Sequence, residues 1–133
     1  MQRVVIVGKG ESAHQTEGDI VIGLNHAAYL DYCTMGCCAD QRMINDFIST
    51  RLGKPVILGR QRAYRCCDPI IRISNGGSAS ASLAIHYLAR LGHKTISLVG
   101  FDAFWSWDQG RYKYVNIGIQ TAINQTGVRC VRE

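Results

Sequence analysis

Residues 73–102, ISNGGSASASLAIHYLARLGHKTISLVGFD, carry one complete structural unit in their pattern. A polar, glycine-rich turn comes first: Ser74, Asn75, Gly76, Gly77 and Ser78. A helical pattern follows, with Ala81, Ala84, Ile85, Leu88 and Leu91 on one face. Gly92 stops it. The apolar run at residues 95–99 then reads as a buried strand that closes on Gly100, Phe101 and Asp102. A glycine-rich turn feeding a helix leaves unpaired backbone N–H groups at the positive end of the helix dipole, which suits a phosphate. The unit therefore reads as loop, helix, turn and strand, with an acid at the strand's C-terminal end.

The chain on the N-terminal side repeats this alternation. Residues 4–7 are a continuous β-branched run, as expected of a strand buried on both faces. Gly8-Lys9-Gly10-Glu11-Ser12 turns the chain, and Ser12 is placed to cap a short helix that Gly18 would stop. Residues 19–23 read as a second strand ending at Leu24-Asn25. Residues 25–32 read as a short helix packing through Ala27, Ala28 and Leu30, and residues 33–39 as a weak third strand. Residues 41–52 have Met43, Ile44, Phe47, Ile48 and Leu52 at helical spacing, with Gly53 beyond. Pro55 opens a strand over residues 56–58, a position where proline is tolerated. Residues 70–73 are a further strand, delivering the chain to the Ser74 turn.

On the C-terminal side, Phe104, Trp105 and Trp107 form an aromatic loop, either a lid over a pocket or a homo-oligomer contact. Tyr112, Val115, Ile119, Ala122 and Ile123 predict a last helix, and residues 128–131 an edge strand. Alternating strands and helices with short turns predict an α/β fold. The expectation is a single Rossmann-like, three-layer domain over residues 1–133, with a mostly parallel sheet. Right-handed crossovers put helices on both faces, and ligands then lie beyond the strand C-termini.

Composition narrows the class. A chain of 133 residues with 47% hydrophobic and 19% charged residues has the make-up of a globular protein with a core. No apolar run approaches the roughly 20 residues of a membrane span. The first residues read as a strand rather than a signal segment, so the expectation is a cytoplasmic protein with no membrane partner. Net charge is +5. Arg51, Lys54, Arg60, Arg62, Arg65 and Arg72 face only Asp68 in their segment. That band could bind nucleic acid or a host protein, collect anionic ligands toward a cleft, or be an ordinary solvated rim. Cys33, Cys37, Cys38, Cys66, Cys67 and Cys130 include no C-x-x-C spacing and read as small apolar fillers, with a metal site of Cys33 and Cys37 joined by Cys66 and Cys67 as the alternative.

The candidate site residues all fall after strand ends. Gly8, Lys9, Gly10 and Ser12 form a short relative of the dinucleotide-binding turn, with Ala13 where the third glycine would stand. The same residues also serve a tight turn without a ligand. Asn25 could bond a base or ribose, or cap the helix it precedes, and capping is the better-supported role. Ser74, Asn75, Gly76, Gly77 and Ser78 could hold phosphate or satisfy helix N–H groups. Asp40 and Asp102 are the candidate catalytic acids and could share a divalent cation; Asp40 could equally cap the helix beginning at Gln41. His14 and His26, which follow the first two strands, are placed to approach the cleft.

VVIVGKGES, DIVIGLN and SNGGSASASLAIHYLARLGHKTISLVGFD resemble three segments of a Rossmann-like group. It comprises bacterial CMP-sialic acid sialyltransferases, archaeal 6-hydroxymethylpterin diphosphokinase-like proteins and small phage-encoded proteins. The third is similar to the group's S-G-x-x-A-x-x-L-A-x-x-L-G-x-x-x-I-x-L-x-G-x-D segment, and the likeness covers most of residues 3–102. The resemblance implies binding of a nucleotide or nucleotide-sugar. The turn at residues 8–12 and Asn25 would lie on the nucleotide, Gly76, Gly77 and Ser78 on phosphate or sugar, and Asp102 at the pocket wall. A transferase activity is implied by the same likeness. Lys9 and Glu11 replace the Asn and Pro of the transferase turn, and no histidine follows His93, where the transferases have a catalytic one. These departures argue against sialyl transfer itself.

Overall fold

Four β-branched residues in a row cannot alternate between core and water, so they need cover on both sides. Val4–Val7 has it as strand β1, with every residue at 1% exposure or less. In the computed structural model, β2 (Ile20–Leu24) and β3 (Met35–Cys37) follow. A 3₁₀ turn at Asn25–Tyr29 joins them. Then come α1 (Gln41–Thr50), β4 (Val56–Leu58), β5 (Ile70–Arg72), α2 (Ser80–Arg90) and β6 (Thr95–Val99). The chain continues through β7 (Trp105–Asp108), β8 (Arg111–Tyr114), α3 (Ile117–Thr126) and β9 (Arg129–Arg132). The structure describes residues 2–10, 13–59, 70–73, 79–101 and 118–133, and the backbone alone of 105–108, 111–114 and 117.

Among the described residues, seven strands form one parallel sheet in the order β5-β4-β3-β2-β1-β6-β9. The chain steps from β1 outward to β5, then returns through α2 to the far side of β1. Right-handed crossovers then require α2 and α3 on one face and α1 on the other. The core obeys this. Val4, Ile6, Ile22, Leu24, Ile57, Ile96 and Leu98 pack with Leu83, Ile85 and Leu88 of α2 and Ile119 and Ala122 of α3. Val56, Leu58 and Cys38 pack with Met43, Ile44 and Phe47 of α1. Val5, Val7, Val21 and Val99 meet Ala27 of the 3₁₀ turn. The α/β, Rossmann-like expectation holds, and the main sheet is parallel throughout, including the C-terminal edge strand.

Several local expectations do not hold. Residues 13–18 form no helix. The Arg3 guanidinium instead bonds the Thr16 hydroxyl and the Glu17 carbonyl, tying that segment down in irregular form. The helix expected over residues 25–32 is one 3₁₀ turn. The strand expected over residues 33–39 narrows to three residues. Leu91, expected on the buried face of α2, lies past the helix end and is 50% exposed. The aromatic stretch after residue 102 is not all loop: β7 and β8 pair antiparallel, with Trp105 opposite Tyr114 and Trp107 opposite Tyr112. The last helix therefore starts at Ile117, because Tyr112 belongs to β8. WSWD and RYKY alternate with a period of two, a strand signature that overrides the helical spacing of Tyr112, Val115 and Ile119.

Candidate functional site

Strand order reverses between β1 and β6, and in open α/β sheets this switch point opens a crevice beyond the strand C-termini. Two turns lie there side by side. The Gly8 N–H donates to the Val99 carbonyl at 2.8 Å, and the Gly10 N–H to the Gly100 carbonyl at 2.6 Å. A methyl group on Gly8 would stand 2.8 Å from the Gly100 carbonyl oxygen; one on Gly100, where φ is +75°, would stand 2.7 Å from the Gly8 oxygen. Each glycine is thus required by the other. Gly8 is buried, whereas Lys9 is exposed and Gly10 partly so. The turn hides its first residue and presents the next two.

The turn after β2 is built by a close approach of a different kind. A methyl group on Gly23 would lie 2.5 Å from the Ala27 carbonyl group, so only glycine lets the 3₁₀ turn fold back onto β2. Lys54 holds that turn from the next layer, donating to the Ala28 and Leu30 carbonyls at 2.7 and 2.8 Å. Asn25 enters with φ +54°, a conformation asparagine tolerates better than most residues. Its side chain does not cap the turn, which has no side-chain cap. The Asn25 Oδ1 instead accepts from the Ser80 hydroxyl at 3.4 Å. Ser80 Oγ also accepts the Ala39 N–H at 3.1 Å, and the Ser80 carbonyl accepts from Cys37 Sγ at 3.2 Å. The first residue of α2 therefore ties together the ends of β2 and β3.

His26, next to Asn25, reaches back to the first turn, with Nδ1 3.0 Å from Lys9 Nζ. Asp40 follows β3 and caps α1, its Oδ1 accepting the Arg42 N–H at 3.0 Å. It thus takes the capping role left open for it, and α1 closes with Arg51 in the left-handed region at φ +54°. Gly8, Lys9, Gly10, Asn25 and Asp40 therefore all lie at the C-terminal edge. Ser12, Ser74, Asn75, Gly76, Gly77, Ser78 and Asp102 lie outside the described residues, as do Arg60, Arg62, Arg65, Cys66 and Cys67. Ser80 was missed in the sequence. The helix starts two residues after Ser78, and nothing in a run of alternating Ser and Ala marks which serine reaches another strand.

Burial decides the character of the described cysteines. Cys33, Cys37 and Cys38 are at 2% exposure or less, and neither they nor Cys130 form a disulfide. Burial pushes the Cys37 thiol well up from its ordinary range, with neighbouring Cys38 adding to it. Burial also raises Cys33, against a smaller opposing pull from Lys54. Both thiols are held protonated and apolar. Among the described residues no cluster of three His, Cys, Asp or Glu side chains could hold a metal ion.

A separate open depression lies at the opposite end of β1 and β6, lined by Gln2, Leu91, Gly92, His93, Lys94 and Thr95. It shares no residue with the turns just described. No described helix is long and apolar enough to cross a membrane. No protein-family model, curated protein or solved structure matches this chain.

Proposed function

We propose that this chain binds a nucleotide or nucleotide-sugar, of CMP type, beyond the C-terminal ends of β1, β2 and β6. One observation carries the reading: the Lys9-Gly10 turn, which borders the β1/β6 point where the strand order reverses, meets the Asn25-His26 turn after β2 at the same C-terminal edge. Ligands of open α/β sheets lie at such an edge. The segment resemblance over residues 3–102 supports the same ligand class. A minimal glycosyl- or phosphotransferase would be an extension of this binding, drawing on Asp102. In such a reaction Asp40 would act with one carboxylate oxygen already engaged by its helix cap.

The competing reading, a basic band that docks nucleic acid or a host protein, finds two of its three described members already engaged. Lys54 spends its ammonium on two backbone carbonyls, and Arg72 donates to the Gly59 carbonyl at 3.2 Å.

Thermal unfolding with CMP and with CDP-, UDP- and GDP-compounds tests the proposal. A ligand at a hundredfold excess over its Kd adds about 2.7 kcal/mol of stability. In amide NMR spectra the same ligand is expected to move the signals of Gly8, Gly10 and Asn25 and to leave those of Leu91 and His93 in place. Absence of a shift with all of these compounds overturns the proposal.

A further inference from the structure

We infer that Lys9, Asn25 and His26 form one cationic, donor-rich grip, and that it takes the phosphate of the bound ligand. The inference rests on the nucleotide-binding reading and goes further by naming what this corner recognises. It also gives a role to His26, which the sequence placed near the cleft without one.

The chemistry of each group leads there. An ammonium has only donors, so in the contact at 3.0 Å the Nδ1 of His26 accepts and the ring proton sits on Nε2. The pair then carries one positive charge and leaves unspent two ammonium N–H groups and the imidazole Nε2–H. Asn25 adds a third group. Its Oδ1 already accepts from the Ser80 hydroxyl, and its NH₂ adds further donors. Strand register keeps the groups level: Val7 of β1 pairs with Gly23 of β2, and Lys9 and Asn25 each follow two residues later.

No acid among the described residues pairs with this corner. Among the described residues the one ion pair is Arg3 with Glu133, and neither Lys9 nor His26 has an acidic partner. All three side chains are exposed or half-exposed, so they are open to a ligand. Ammonium and imidazole N–H donors with net positive charge, beside the Asn25 amide NH₂, complement an oxygen-rich anion. A base or sugar, which mixes donors with acceptors, fits such a corner poorly. A phosphate would draw the Lys9 ammonium off His26 and take the imidazole N–H and the Asn25 amide on its other oxygens.

Calorimetric titration of CMP, cytidine and inorganic pyrophosphate separates the possibilities. The proteins are the wild type, Lys9→Met, Lys9→Arg, His26→Gln and Asn25→Asp, each checked by thermal unfolding for an intact fold. Asn25→Asp keeps a residue that tolerates the left-handed backbone and keeps the acceptor for Ser80, while it replaces the donating NH₂ with an anionic oxygen. Lys9→Met and Asn25→Asp are expected to weaken CMP and pyrophosphate about tenfold to a hundredfold, as for a lost charge-assisted hydrogen bond. Cytidine binding is expected to stay unchanged. Lys9→Arg retains most of the affinity, and His26→Gln loses several-fold. Wild-type CMP affinity in Lys9→Met and Asn25→Asp overturns the grip and leaves nucleotide binding standing. Pyrophosphate bound in a Lys9-dependent manner, with neither CMP nor cytidine bound, keeps the grip and removes the nucleotide reading. Failure of the wild type to bind either phosphate compound removes both.

Discussion

Gly23 has no Cβ, and the turn that presents Asn25 and His26 depends on that. The Ala27 carbonyl group occupies the place a side chain would take, at 2.5 Å, and backbone cannot move aside as a flexible side-chain tip can. Gly23→Ala is therefore expected to cost about 3 kcal/mol through overpacking, measured by urea unfolding. The same substitution would push the 3₁₀ turn off β2 and carry Asn25 away from Ser80. An unchanged unfolding midpoint would show that the turn has slack the geometry does not suggest. Gly8 and Gly100 form a second such pair, where two backbones rather than two side chains set the spacing between β1 and β6.

At the scale of the element, the turn after β2 is short, and a 3₁₀ turn has few hydrogen bonds of its own. Lys54 makes good part of that deficit from the loop before β4, with its ammonium on two carbonyls of the turn. Tyr29 anchors the same turn to α1, with its hydroxyl on Asp46 and its ring edge-on to Phe47 at 5.6 Å. Burial, and then the bond to Asp46, raise the Tyr29 hydroxyl above its ordinary range, so it stays a donor. Lys54→Met keeps the aliphatic stem and removes the charge. It is expected to lose about 2 kcal/mol, because two carbonyls then lack their charged donor. Chemical unfolding reads this directly, and a loss below a few tenths of a kcal/mol would mean that water replaces the ammonium.

Across the whole molecule, Arg3 connects three parts of the chain that are distant in sequence. Its guanidinium reaches Thr16 and Glu17 in the segment before β2, Ser97 on β6, and Glu133 after β9. The Ser97 hydroxyl holds the Glu133 carboxyl below its usual range; burial opposes it, and Arg3 adds to the lowering. A carboxyl lowered by folding adds stability that is present above its unfolded pKa and is lost as pH falls through the folded one. The stability difference between wild type and Glu133→Gln is therefore expected to shrink as pH falls below the ordinary glutamate value of 4.5 and on through the lowered folded one. It should not exceed about 1 kcal/mol, because the side chains are 42% and 33% exposed and water screens the pair. A difference that grows on acidification would contradict the pairing.

The amino-acid order alone determined the class of fold and the edge on which to look for a ligand. Unbroken apolar runs at residues 4–7 and 95–99 demand cover on both faces, and glycine-punctuated helices between strands supply it. That logic is local, so it survives without coordinates, and it placed Gly8, Lys9, Gly10, Asn25 and Asp40 after strand ends. The hairpin at residues 105–114 was legible too, since WSWD and RYKY alternate, but tyrosine, valine and isoleucine at helical spacing hid it. Only the tertiary structure decided what each polar group at that edge is bonded to. Asn25 could cap its own turn or reach elsewhere, and it reaches Ser80, 55 residues away in sequence. Lys9 and His26 meet because β1 and β2 lie side by side in register. A side chain's partner is set by which strands become neighbours, and strand order is a property of the packed sheet rather than of any one segment.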